Sequence, residues 1–330
     1  MSEKTEGDHL DEEGTAEPAP LAGRGRSAPT GRSWWRGTSW ARLGLARREP
    51  RRVVRSENRG VEPKTSVPDV MTPLIAEATD LGEAAFALID ASRSDEGAEA
   101  ALPETTVVRL HLVAASTYRS GLVCLWMPET SLASYGLMRG LLEAWAHLHF
   151  IADDEAGGDA RCRALRYERG ALDEWADVGK KVPEGYLGKT AAQRARDERR
   201  GDLDRLWSEC GCTGATRTRH DVAPTLRTLA HEPNLEWLPG AWSASSVSTH
   251  AYGVEFLLDT RGGQIEVVWA LPSQRATWFT LLVTAFAHIT STAATILAQG
   301  DERITAFEQR ARRLLDAPTL RRIAQGDADG

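Results

Sequence analysis

LASYGLMRGLLEAWAHLHFIA, residues 132–152, is apolar on nearly every side when wound as a helix. Arg139, Glu143 and His147 interrupt it at i, i+4 and i+8, which places them on one stripe of an otherwise greasy cylinder. Such a helix belongs at the centre of a domain. Charges within it need partners, because an unpaired buried charge is costly. The stripe is either the thin wet edge of a core helix or a buried polar cluster with a purpose.

Working outward, the periodicity predicts helices on both sides. Residues 71–92 place Leu74, Ile75, Ala78, Leu81, Ala85 and Leu88 at helical spacing, with Pro73 in the first turn, where its missing N–H costs nothing. A second helix spans 104–126 and stops near Pro128, and a fourth spans 159–180 with Leu165, Leu172 and Trp175 on one side. Residues 189–210 are helical in propensity but heavily charged, with Leu203, Leu206 and Trp207 as anchors, so they read as a peripheral arm. A short helix over 224–231 precedes a loop at 233–240. Residues 244–258 read as helix, while 254–259 and 264–270 flank Thr-Arg-Gly-Gly and read alternatively as a hairpin. A long apolar helix runs over 272–297, Gly300 caps it, and one charged amphipathic helix runs over 301–324. The expected fold is all-α, an irregular helical bundle with at most one small β-hairpin, forming a single domain over 70–330.

Residues 1–69 are rich in Gly, Pro, Ser, Arg and Glu without sustained periodicity, and read as a disordered tail. The tail is acidic over 1–20 and basic over 21–64. Trp34, Trp35 and Trp40 lie among Arg32, Arg36 and Arg42, an interleaving that can grip nucleic acid or an anionic membrane surface. The competing reading is a functionless stretch translated from a start codon placed too early, with Met71 opening the first helix. Residues 1–70 carry 13 basic and 11 acidic side chains, so the remainder carries −9 of a chain total of −7. An acidic body is a poor general binder of nucleic acid or anionic lipid, which leaves those partners to the tail alone.

The longest apolar run, residues 276–298, is long enough to cross a bilayer. Its Thr, Ser and His content and the lack of a second such segment favour a buried core helix. The first residues are acidic and lack the apolar core of a signal peptide. The four cysteines, Cys124, Cys162, Cys210 and Cys212, form no disulfide-like framework in sequence. Reduced thiols and a cytoplasmic location are therefore expected. Most tryptophans of the folded part are expected in the core, while Trp237 and Trp242 beside a Pro/Gly loop are candidates for walling a pocket.

Residues 243–250 read SASSVSTH. Taken with Arg139 and Glu143, this segment resembles a widespread bacterial family of all-helical domains of unknown function, which pairs an R-x-x-x-E helix with a later S-x-x-x-H segment. The matching residues here are Arg139, Glu143, Ser246 and His250, and the resemblance covers about residues 105–298. It implies a helical fold and no established reaction; a role in phage defence or stress follows from that analogy alone. Physically, Arg139 can hold the Glu143 carboxylate, and His250 can meet Glu143 if their helices face each other. Such a cluster either ties two core helices in register or positions a general base. No nucleophile elbow surrounds Ser246, and no phosphate-cradling or dinucleotide-binding glycine motif is present. A di-iron bundle wants Glu-x-x-His, whereas Glu143 and His147 are one residue too far apart. Cys210 and Cys212 with His220 are the candidate zinc ligands, although Cys-x-Cys is not the usual knuckle and two ordinary loop thiols are the simpler reading. No cofactor is expected. The leading reading is a binding or interaction role with a protein partner. The alternatives are a hydrolase, acting on nucleic acid, with Glu143 and His250 as acid–base pair and Arg139 stabilising an anion, and a tail-mediated nucleic-acid or membrane adaptor.

Overall fold

In the computed structural model the described residues are 70–90, 103–127, 130, 133–153, 159–181, 183, 189–212, 222–249, 258–259, 266–267 and 272–326. All of them fall in one unit, Ser33–Gly330. The tail and its residues Trp34, Trp35, Arg36, Trp40 and Arg42 lie outside them, as do His220 and His250.

Ten helices and one two-stranded ribbon make up the described residues: α1 Thr72–Asp90, α2 Glu104–Trp126, α3 Ala133–Ala152, α4 Ala160–Lys181, α5 Lys189–Cys210, α6 Val222–Leu229, α7 Leu238–Thr249, β1 Leu258–Asp259, β2 Glu266–Val267, α8 Pro272–Ile296, α9 Asp301–Leu315 and α10 Pro318–Gln325. The fold is all-α. The strands pair antiparallel, Leu258 opposite Val267, so the hairpin alternative describes that segment and the helix before it ends at Thr249.

The core is built around α8. Its membrane-like apolarity is spent on protein neighbours: α1, α2, α3, α9 and α10 all pack on it, and Trp278, Phe279, Leu282, Phe286 and Ile289 are buried. Tyr118 of α2 stacks on Phe286 with ring centres 4.1 Å apart, while its hydroxyl donates to the Ala78 carbonyl of α1 at 2.9 Å. One tyrosine thereby joins three helices, with its polar tip satisfied inside the core. The α2–α8 crossing needs Gly121, because a Cβ there would sit 3.0 Å from Leu282 Cδ1.

Two buried arginines close helix ends. Arg275, at the start of α8, donates Nε to the Leu125 carbonyl at 2.7 Å and Nη2 to the Trp126 carbonyl at 3.1 Å. Arg163 of α4 donates Nε to the Ile151 carbonyl at 2.9 Å. The last carbonyls of α2 and α3, which have no partner within their own helices, are satisfied by cations at the negative end of the helix dipole.

Three expectations are corrected here. The helix expected over 301–324 is two, because Pro318 cannot donate to a preceding carbonyl and holds Ala317 in an extended conformation with ψ 129°. The end of α8 is closed by Ala298 in the left-handed region (φ 52°), with the Gln299 N–H on the Ala294 carbonyl at 2.9 Å; Gly300 instead precedes α9. Trp126 and Trp175 are about half exposed rather than in the core, because each lies on the outer side of its helix.

Candidate functional site

Arg139 and Glu143 stand one turn apart on α3, and α7 packs across the same face. Arg139 Nε donates to Glu143 Oε1 at 3.1 Å and Nη1 donates to Ser246 Oγ at 2.8 Å. Its guanidinium carbon lies 4.4 Å from the centre of the Trp242 ring. Ser246 Oγ in turn donates to the Trp242 carbonyl at 2.9 Å. Three of the four residues singled out from sequence thus converge, and Trp242 joins them from within α7 rather than from a loop. His250, the fourth, lies outside the described residues.

The cluster is partly wet: the Arg139 and Glu143 side chains keep 28% and 41% of their surface. Its members are committed to one another. Glu143 accepts from Arg139 through Oε1, and Ser246 is engaged on both sides of its hydroxyl. The Arg139–Ser246 bond joins α3 to α7. Ser246→Ala is expected to cost about 1 kcal/mol, and a double-mutant cycle with Arg139→Ala to give a coupling of about 0.5–1 kcal/mol by urea denaturation. Additive losses would mean that the bond does not tie the helices.

Behind the cluster an aromatic row runs inward. Trp237 faces Trp145 with ring centres 6.3 Å apart, and Trp145 stacks on His288 at 4.6 Å. Trp237 is held by an Nε1–H bond to the Asn234 carbonyl at 3.0 Å. The two tryptophans expected to wall one pocket therefore have different neighbours: Trp237 packs on the core row and Trp242 on Arg139. The third member of the α3 stripe, His147, rests against Tyr167 of α4 at 4.7 Å. Burial pushes the Tyr167 phenol up to about 12, with the Glu168 carboxylate beside it acting in the same direction.

A second polar cluster escapes the sequence reading. Residues 159–200 look like a solvated, ion-paired face, yet Glu168 and Arg163 are both buried. Glu168 accepts from Thr106 Oγ1 at 2.9 Å, is paired with Arg109, and lies 3.6 Å from Arg199. It pins the α4–α5 pair to α2. The one signal available was Thr106 and Arg109, three residues apart on α2, turning two polar groups to one side.

The expectation of four separate reduced thiols is also corrected. Cys162 and Cys212 are joined by a disulfide, with Cα atoms 5.9 Å apart. Cys210 Sγ lies 3.3 Å from Cys162 Sγ. Fifty residues separate the bridged pair in sequence, and only the packing of α5 along α4 brings the ends together. Of the candidate zinc ligands, Cys210 and Cys212 do meet, their described companion being Cys162.

The fold and this site define an all-helical bundle with a polar tie between its third and seventh helices. No protein-family model, curated protein or solved structure matches the chain.

Proposed function

We propose that this protein works by binding a partner protein rather than by catalysis, and that the outer face of α2 receives an apolar helix of that partner. The observation that carries this is a stripe of exposed side chains: Leu112, Val113, Val123, Trp126 and Met127 keep 43–59% of their surface. They recur along one side of the helix, with exposed Ser116 and Ser120 between them. The two charges on that side are both paired: Arg119 with Glu83, lying over the Phe86 ring, and Arg109 with Glu168. Single exposed apolar residues are ordinary, but an apolar stripe over four turns whose flanking charges are paired is the mark of a helix-binding face.

The Arg139 cluster supports the same preference, since Glu143 is engaged by Arg139 through Oε1. The likeness to the bacterial helical domains carrying R-x-x-x-E and S-x-x-x-H, which rests on Arg139, Glu143, Ser246 and His250 in the sequence, is proposed with this reading. A cytoplasmic setting, with a role in phage defence or stress, is proposed with that likeness.

The test is photocrosslinking in the producing cell. A benzoylphenylalanine at Val123 is expected to give a discrete adduct that Leu112→Glu abolishes, and the same label at Glu302 of α9 is expected to give none. Identical adducts from both positions would overturn the reading.

A further inference from the structure

Three sulfurs converge where one bridge needs two. Cys162 lies in the first turn of α4, Cys210 is the last residue of α5, and Cys212 follows two residues later. Between the latter pair, Gly211 takes a positive φ of 66°, a conformation that costs glycine nothing. That turn lets both neighbouring cysteines reach Cys162, so the sulfurs of Cys162, Cys210 and Cys212 all lie within 4.8 Å of one another. A packed pair of helices gives no reason for the third sulfur.

We propose that, once the Cys162–Cys212 bond is reduced, Cys162, Cys210 and Cys212 form a three-thiolate site for a thiophilic divalent cation, Zn2+. Thiolates bound to zinc at about 2.3 Å stand about 3.8 Å apart, the spacing of tetrahedron corners. Cys210 is already 3.3 Å from Cys162, and breaking the bond releases Cys212 to the third corner by side-chain rotation. Cys162 is buried while Cys210 and Cys212 are half-buried, which leaves the fourth corner to water. Asp159, whose Oδ1 accepts from the Cys162 N–H at 2.7 Å, adds negative charge at the same end of α4.

The steps balance. A dithiol reductant supplies two electrons and two protons to the bridge and leaves as its own cyclic disulfide; Zn2+ then displaces three thiol protons to solvent. The site has structural work to do. The core shared by α4 and α5 consists of Leu165, Leu172 and Leu203, with Leu206 and Trp207 at its edge. Two helices of 22 residues each are poorly held by so little apolar surface, and small cores are routinely stapled by a disulfide or a metal. Here the same cysteines serve as either staple, the bridge under oxidising conditions and the metal under reducing ones.

The full chain, reduced with a dithiol and desalted without air, is titrated with Co2+. One Co2+ per chain is expected, with intense sulfur-to-cobalt charge-transfer absorption that Zn2+ abolishes by displacement. The absorption should fall to background in Cys210→Ser and persist in Cys124→Ser. The oxidised, unsubstituted chain should also show none, which keeps the test independent of how the variants fold. Absence of the absorption in the reduced chain would overturn the proposal, as would full intensity in Cys210→Ser. So would a mixture of Cys162–Cys210 and Cys162–Cys212 bridges in a chain that takes up no cobalt, an outcome that assigns the third sulfur to thiol exchange.

Discussion

Acidification from about pH 6.5 to about pH 4 is expected to remove roughly 3 kcal/mol of stability through His111 alone, about 1.4 kcal/mol per pH unit. His111 is fully buried, with the rings of Phe86 and Phe286 about 6 Å away on either side, and its Nε2 lies 3.2 Å from Thr290 Oγ1. Its Nδ1 has no partner among the described residues. Burial lowers its pKa from 6.5 to about 4, because a charged ring would lose its hydration and gain no counter-ion. The sign follows from proton counting. Below pH 6.5 the unfolded chain binds a proton that the folded chain refuses, so stability is complete above that value and drains away until about pH 4. His288 shifts in the same direction through burial against Trp145. Its pKa falls from 6.5 to about 3, so it adds its own share to the slope over the same range. Urea denaturation at stepped pH reads the slope directly. In His111→Gln, less stable at neutral pH, the loss on acidification should be smaller by about that amount. Wild-type stability that stays level from about pH 7 to about pH 5 would refute the account.

Arg275→Leu is expected to cost about 3 kcal/mol or more. The leucine fills much of the space but leaves the Leu125 and Trp126 carbonyls, held by Arg275 Nε and Nη2, without those donors in a buried site. Arg275→Lys keeps the charge but loses the planar fork that serves two carbonyls at once, and should fall between wild type and leucine. Chemical denaturation with a common slope measures both. A loss below about 1 kcal/mol for the leucine variant would mean that water replaces the guanidinium, and that the end of α2 is not sealed by this side chain.

The helical architecture was legible because apolar spacing and helix-stopping residues are local properties. The bounds of α2 and α5 follow directly from Pro128 and from the charged run after Lys189. The Arg139–Glu143 pair was legible for the same reason, being one turn of one helix. Contacts between distant segments were not. Arg163 and Glu168 carry the same charges as their solvated neighbours Arg161 and Glu174, and nothing in their spacing distinguishes a group that will lie against α3 or α2. The meeting of Cys162 with Cys210 and Cys212 depends on the α4–α5 packing, which sequence spacing does not encode. Trp126 and Trp175 were misplaced because a large apolar side chain is statistically a core residue, whereas their sites on the outer sides of α2 and α4 are decided by which faces those helices bury. The break before α10 was the avoidable miss, since Pro318 states it outright.

The position of α8 also sets an order of events during synthesis. Helices α1, α2 and α3 all lean on a segment that begins only at Pro272. On the ribosome they emerge first, with Leu81, Leu122 and Leu142 still lacking the surface that will cover them. The early pairings of α1 with α2 and of α2 with α3 are local and fast, but closing the core waits for α8. A nascent chain of this protein is therefore an incomplete bundle with open apolar faces, the state that chaperones bind, until α8 has emerged and packed.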